Sequence, residues 1–130
     1  MIPFWPSCGI TIMMLNTTGY SRGDVVLVNF VYSDETGTKR RPVLLLSTEA
    51  YHKGRQEAIV AAITSNTHRI LTGDTLVTQW EAAGLLYPSV VTGILRTIKQ
   101  EMVASKLGSL TPGDLEEVEG EVSQILGLVS

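Results

Sequence analysis

Val25-Val26-Leu27-Val28-Asn29-Phe30-Val31-Tyr32 is a run of β-branched, aliphatic and aromatic side chains with one polar interruption, at Asn29. Branched side chains lose rotamer freedom in a helix and pack well on a pleated surface, so the run reads as a buried strand. Downstream of it, residues 33–40 (SDETGTKR) are polar, carry Gly37, and are long for a hairpin loop. Residues 42–47 (PVLLLS) form a second strand with proline at its first position, where a missing N–H is tolerated. Residues 48–55 are a connection with room for one helical turn. Residues 58–65 (AIVAAITS) read as a third strand, narrow and alanine-rich, suited to the close approach of another backbone.

Further on the pattern stays short and strand-like. A polar loop over residues 66–73 leads to a short strand over 74–78, then to a single helical turn over 79–83 ending at Gly84. Residues 89–92 and 95–98 read as two separate short strands, and residues 102–110 as another. Many short strands at close spacing predict a small β-barrel. The C-terminus changes character: Thr111 is an N-cap, Pro112 takes the first helical position, and Asp114 places an acid in the first turn. Leu115, Val118, Val122, Ile125 and Leu126 follow at helical spacing, giving an apolar stripe opposite the glutamates that closes the barrel. The fold class is therefore mainly β, a barrel plus one C-terminal α-helix.

At 130 residues the chain is one domain. Its single cysteine, Cys8, excludes an internal disulfide and fits a reducing, cytoplasmic home. No Cys/His spacing suggests a zinc site, and no phosphate-binding glycine loop, paired histidines or nucleophile elbow is present. The net charge of −3 is unevenly spread. Asp114, Glu116, Glu117, Glu119 and Glu121 fall in the last twenty residues, which have no Lys or Arg, leaving eight acids against ten bases before them. A mildly basic body permits nucleic-acid binding without demanding it. The first nineteen residues carry no charge. The apolar stretch 9–15 lacks the basic leader and cleavage site of a signal peptide, so residues 1–21 read as an extension to a domain at 22–130. A natural start at Met13 or Met14 is a corollary that intact mass would test.

Two clusters stand out. Lys39-Arg40-Arg41-Pro42 sets three cations at the mouth of a strand. Because neighbouring strand residues face opposite ways, Arg40 and Arg41 divide between solvent and a groove if the strand begins there. Thr64-Ser65-Asn66 puts three small hydrogen-bonding side chains where an apolar strand ends. Read without any relative, these residues support a small barrel with a basic loop and no more.

Four segments together resemble the MazF/PemK family of toxins: Arg22-Gly23-Asp24-Val25-Val26-Leu27-Val28, Lys39-Arg40-Arg41-Pro42-Val43-Leu44, Ala58-Ile59-Val60-Ala61-Ala62-Ile63-Thr64-Ser65, and Leu95-Arg96-Thr97-Ile98. Each is weak alone; their order and spacing are specific, and the resemblance runs from residue 22 to residue 128. It implies an SH3-like barrel that works as a homodimer, cuts single-stranded RNA without metal or other cofactor, and is restrained by a cognate antitoxin. By motif, the catalytic arginine falls on Arg41 and the catalytic threonine on Thr64, with Lys39, Arg40, Ser65, Asn66 and Arg96 as substrate-binding candidates. The loop 33–40 matches the family's mobile loop beside the RNA groove. The stretch Val91-Thr92-Gly93-Ile94-Leu95 departs from members with a charged residue just before the Arg96-Thr97-Ile98 strand, which leaves His68 and Glu35 as acid–base candidates. Two alternatives stand beside the ribonuclease: a toxin of the same fold that binds DNA gyrase, as CcdB-like relatives do, and a non-catalytic member that binds RNA or a partner.

Overall fold

The computed structural model describes residues 19–32 and 37–128. Cys8, the candidate starts at Met13 and Met14, and Glu35 lie outside the described residues. Six strands, β1 (Asp24–Tyr32), β2 (Gly37–Leu45), β3 (Glu57–Thr64), β4 (Thr75–Leu76), β5 (Val90–Lys99) and β6 (Val103–Ser109), form one antiparallel sheet. A short helix α1 (Glu49–Lys53) joins β2 to β3, a 3-10 turn (Gln100–Met102) joins β5 to β6, and helix α2 (Pro112–Leu126) closes the described chain.

The strand order is β4-β5-β3-β2-β1-β6, so β4 and β6 are the two edges. They are brought together by the turn after β4, where Ala83 N–H donates to the Gln79 carbonyl and Leu85 N–H to that of Trp80. Gly84, at φ +85°, presses this turn onto β6: a Cβ there would lie 2.1 Å from the Leu107 carbonyl oxygen, and one on Gly108 would lie 2.5 Å from that of Ala83. Only paired glycines allow two backbones so close. The turn after β4 thus reaches across to β6 at Leu107 and Gly108, without a β4–β6 ladder.

Period-2 alternation sends side chains to two apolar clusters. Val25, Leu44, Ala61 and Ile63 face one cluster, with Leu115, Val118 and Val122 of α2 laid over it. Val26, Val28, Val43, Leu45, Val60 and Ile98 face the other. The helix stripe is shorter than its sequence implies: Ile125 and Leu126 are exposed, although Ile125 rests on Gly73. Nor do the glutamates simply face water. Glu119 pairs with Arg22, and Glu121 accepts from Gly73 N–H. Thr111 caps this helix by accepting from the Asp114 N–H, which leaves the Asp114 side chain free for another role. Its carboxylate accepts from the Thr78 N–H and hydroxyl and from Gln79 N–H, tying α2 to the chain leaving β4.

Strand β2 starts at Gly37, five residues before the start expected at Pro42, because residues 37–41 pair with the apolar run of β1 from Tyr32↔Gly37 to Val28↔Arg41. Lys39, Arg40 and Arg41 are exposed, so their polarity belongs to a strand that meets solvent rather than to a loop. Pro42 therefore sits mid-strand. The Leu45 carbonyl accepts from Gly23 N–H on the β1 side, while Leu46 N–H donates to the Ile59 carbonyl on the β3 side. Backbone groups alternate sides along a strand, so the nitrogen of Pro42 faces β3. There it has no proton to give. The β2–β3 ladder covers only Val43↔Ala62, Leu44↔Ala61 and Leu45↔Val60, and stops where proline would have to donate.

The two short strands expected at 89–92 and 95–98 are one strand, β5. Its register against β3 shifts by two residues between Ala61↔Leu95 and Ile63↔Val91. The surplus bulges around Gly93, held by Thr92 Oγ1 donating to the Ala62 carbonyl at 2.8 Å and by Gly93 N–H donating to Asp74 Oδ1 at 2.9 Å.

Candidate functional site

Beyond Val43 the strands β2 and β3 part, and a groove of about 680 Å³ opens in the gap. Arg41 lies on one lip and Thr64 and Ser65 on the other, while Arg96 of β5 reaches the same space. Counting the β2–β3 register onward from Val43↔Ala62 places Arg41 and Thr64 at facing positions, on one face of the sheet. The expected division of the arginines is found. Arg41 lines the groove, and Arg40 turns away to donate from Nε to Asn29 Oδ1 at 3.2 Å.

Each polar side chain has a local reason for its place. Thr64 ends β3, and its Oγ1 accepts from Asn66 N–H at 3.1 Å, a turn that stops the strand and fixes the hydroxyl. Arg96 stands opposite Val60, and its guanidinium lies 4.8 Å from the centre of the Phe30 ring. That cation–π contact holds a flexible cation flat against the groove wall. Arg41, Thr64, Ser65 and Arg96 are thus brought together. Lys39, Arg40, Asn66 and His68 are not among the lining residues; Asn66 Oδ1 accepts from the backbone of His68, and both are exposed.

No Asp, Glu, Lys or His lines this groove among the described residues. Its charge is the two guanidiniums. A second cleft, between β4 and α2, reverses the sign: it is lined by Asp74, Asp114, Glu117 and Glu121. Burial would raise the Asp114 pKa, but the hydrogen bonds from Gln79, Thr78 and Thr111 outweigh it and hold the carboxyl below its ordinary 3.8. His52 is a structural residue. It is buried 2.6 Å from the Ser47 hydroxyl, and burial pushes its pKa below 6.5 despite the nearby charge of Glu49.

Sequence reasoning missed Phe30, Tyr87 and Thr92 of the groove wall. Tyr87 follows Leu85-Leu86 and precedes Pro88. An apolar run in a proline-bearing connection, outside any strand, was the available signal. Tyr87 is 64% exposed despite its aromatic ring.

A family profile described as PemK-like, MazF-like toxin of type II toxin-antitoxin system matches residues 21–126. The chain belongs to this family. Its fold is similar to that of an endoribonuclease solved with its cognate antitoxin from a mycobacterial species, at TM-score 0.69 and 19% identity, covering 85% of this chain and 98% of that one. It is also similar to the MazE–MazF complex of Deinococcus radiodurans, at TM-score 0.69 and 24% identity over 85% and 97% of the two chains. The Mycobacterium tuberculosis toxin MazF-mt6 gives TM-score 0.67 and 25% identity over 82% and 99%. No curated protein sequence matches the chain significantly. No helix among the described residues is long and apolar enough to cross a membrane.

Proposed function

We propose that this PemK/MazF-like toxin is a metal-independent endoribonuclease that cuts single-stranded RNA in the groove between β2 and β3. The observation that carries the reading is the meeting of Arg41, Thr64 and Arg96 in a groove with no acidic lining among the described residues. In the reaction the ribose 2′-oxygen attacks the adjacent phosphorus and the bond to the 5′-oxygen breaks. The products are a 2′,3′-cyclic phosphate and a 5′-hydroxyl. Negative charge builds on the phosphorane oxygens, where a planar, permanently charged guanidinium offers several donors at once. Arg41 takes that role, since an arginine stays protonated and is a poor base. Thr64 holds the phosphate or the 2′-hydroxyl through its Oγ1. Ser65 and Arg96 bind the flanking backbone.

The remaining proposals rest on the family and on surface character. The family and the antitoxin-bound neighbours support a cognate antitoxin for this chain, and cytoplasmic action follows from an RNA substrate. Exposed Leu71, Leu76, Ile94, Ile125 and Leu126 supply apolar surface for a homodimer.

One feature favours a second reading, a member that binds RNA without cutting it: among the described residues, the groove wall has no imidazole or carboxylate to take the 2′-proton. Incubation of the protein with mixed-sequence RNA in EDTA separates the two. Discrete fragments with 5′-hydroxyl and cyclic-phosphate ends are expected. Retarded but intact RNA would establish the binding member instead.

A further inference from the structure

Tyr87 divides two cavities. On one side it lines the main groove with Arg41 and Thr64; on the other it walls a smaller pocket of about 320 Å³ with Ser65, Thr67 and Pro88. Ser65 also belongs to both. A phosphate held at Arg41 and Thr64 would therefore have a neighbouring compartment one side chain away. That compartment has an exposed aromatic wall, a rigid proline, and the hydroxyls of Ser65 and Thr67. An aromatic ring in water with apolar and hydrogen-bonding neighbours suits an unstacked nucleobase, which offers a π-face and a polar edge together.

We infer that the pocket behind Tyr87 is a nucleobase subsite for the residue flanking the scissile phosphate. The assignment rests on the ribonuclease reading and deepens it. The Tyr87 ring stacks on the base and supplies affinity that tolerates any base, because every base has a π-face. Thr67, whose hydroxyl can donate and accept, reads the base edge and supplies preference. Affinity and choice thus reside in different side chains of one pocket.

Three variants separate these contributions from a structural role: Tyr87→Ala, Tyr87→Phe and Thr67→Val, each verified as folded by circular dichroism. For a short single-stranded substrate, Tyr87→Ala should raise KM by about tenfold or more, while Tyr87→Phe, which keeps the stacking face, stays near wild type. Thr67→Val should lower kcat/KM on the preferred RNA by about tenfold while leaving RNAs with other bases at that position near wild type, flattening the preference beside the cut. Wild-type kinetics in Tyr87→Ala, or an unchanged cut profile in Thr67→Val, overturns the subsite. If the wild-type protein cuts nothing, the ribonuclease reading fails by itself. The subsite is then tested by fluorescence anisotropy with a labelled single-stranded oligonucleotide, where equal Kd for wild type and Tyr87→Ala would overturn it too.

Discussion

At the scale of single residues, the molecule separates side chains that act from side chains that hold. Asp114 holds: its carboxylate accepts from Thr78 and Gln79, groups that would otherwise be left unsatisfied near the helix start. Asp114→Ala should therefore cost about 3 kcal/mol, the scale for hydrogen bonds to a buried charge, read by urea unfolding at pH 7. The carboxyl is held below 3.8, so its contribution is complete above that pH and is lost as pH falls through the lower folded value. His52 has the same dependence for a different reason. Burial lowers its pKa from 6.5, so the unfolded chain takes up the proton first as pH falls. Stability should be undiminished above pH 6.5 and decline below it, with the slope between pH 6.5 and 5.5 abolished in His52→Gln. An equal slope in that variant would remove His52 as the cause. Neither role was legible in the sequence beyond the acid in the first turn of α2: Asp114 depends on Thr78 and Gln79 far along the chain, and His52 on the burial that folding gives its turn. The meeting of Arg41 and Thr64 at one groove was legible through motif order, and the opposite facing of Arg40 and Arg41 through the alternation of a strand. Tyr87 was not, since nothing local shows that a loop aromatic will meet the end of β3.

At the scale of elements, the groove is a consequence of one missing proton. Val25–Tyr32, the apolar body of β1, announced itself by composition, and so did the helix that begins at Pro112. The start of β2 did not, because residues 37–41 are a polar strand stabilised by pairing rather than by burial. Reading Pro42 as the strand's first residue hid its effect, which is to end the ladder with β3. The split of β5 into two strands had a similar origin: Gly93 looked like a break but is a bulge anchored by Asp74. Restoring the donor tests the account. In Pro42→Ala the ladder should extend by one pair toward Ile63, so the new amide becomes protected from hydrogen exchange. Stability should hold or rise by up to about 1 kcal/mol, the net value of one hydrogen bond. Cleavage should fall as the gap narrows. A freely exchanging amide with full activity would show that the gap has another cause.

At the scale of the whole molecule, net charge misleads. The chain carries −3, yet its charges are partitioned, with guanidiniums in the groove and carboxylates in the cleft between β4 and α2. Single-stranded RNA bound through two groove arginines should show a slope of log K against log salt of about −1.4, at about 0.7 per phosphate. A slope steeper than about −3 would bring Lys39 and Arg40, which lie outside the groove, into the binding surface.

The central claim is that Arg41 and Thr64 form the cleavage centre, and it is tested most directly by RNA cleavage in EDTA with wild type, Arg41→Ala, Thr64→Ala and His68→Ala side by side. The account predicts a loss of about 10²–10³-fold in Arg41→Ala, the scale for removing one donor to a developing anion. It predicts a clear loss in Thr64→Ala and near-normal cleavage in His68→Ala, whose side chain does not line the groove. Full activity in Arg41→Ala, or its collapse in His68→Ala, would contradict it.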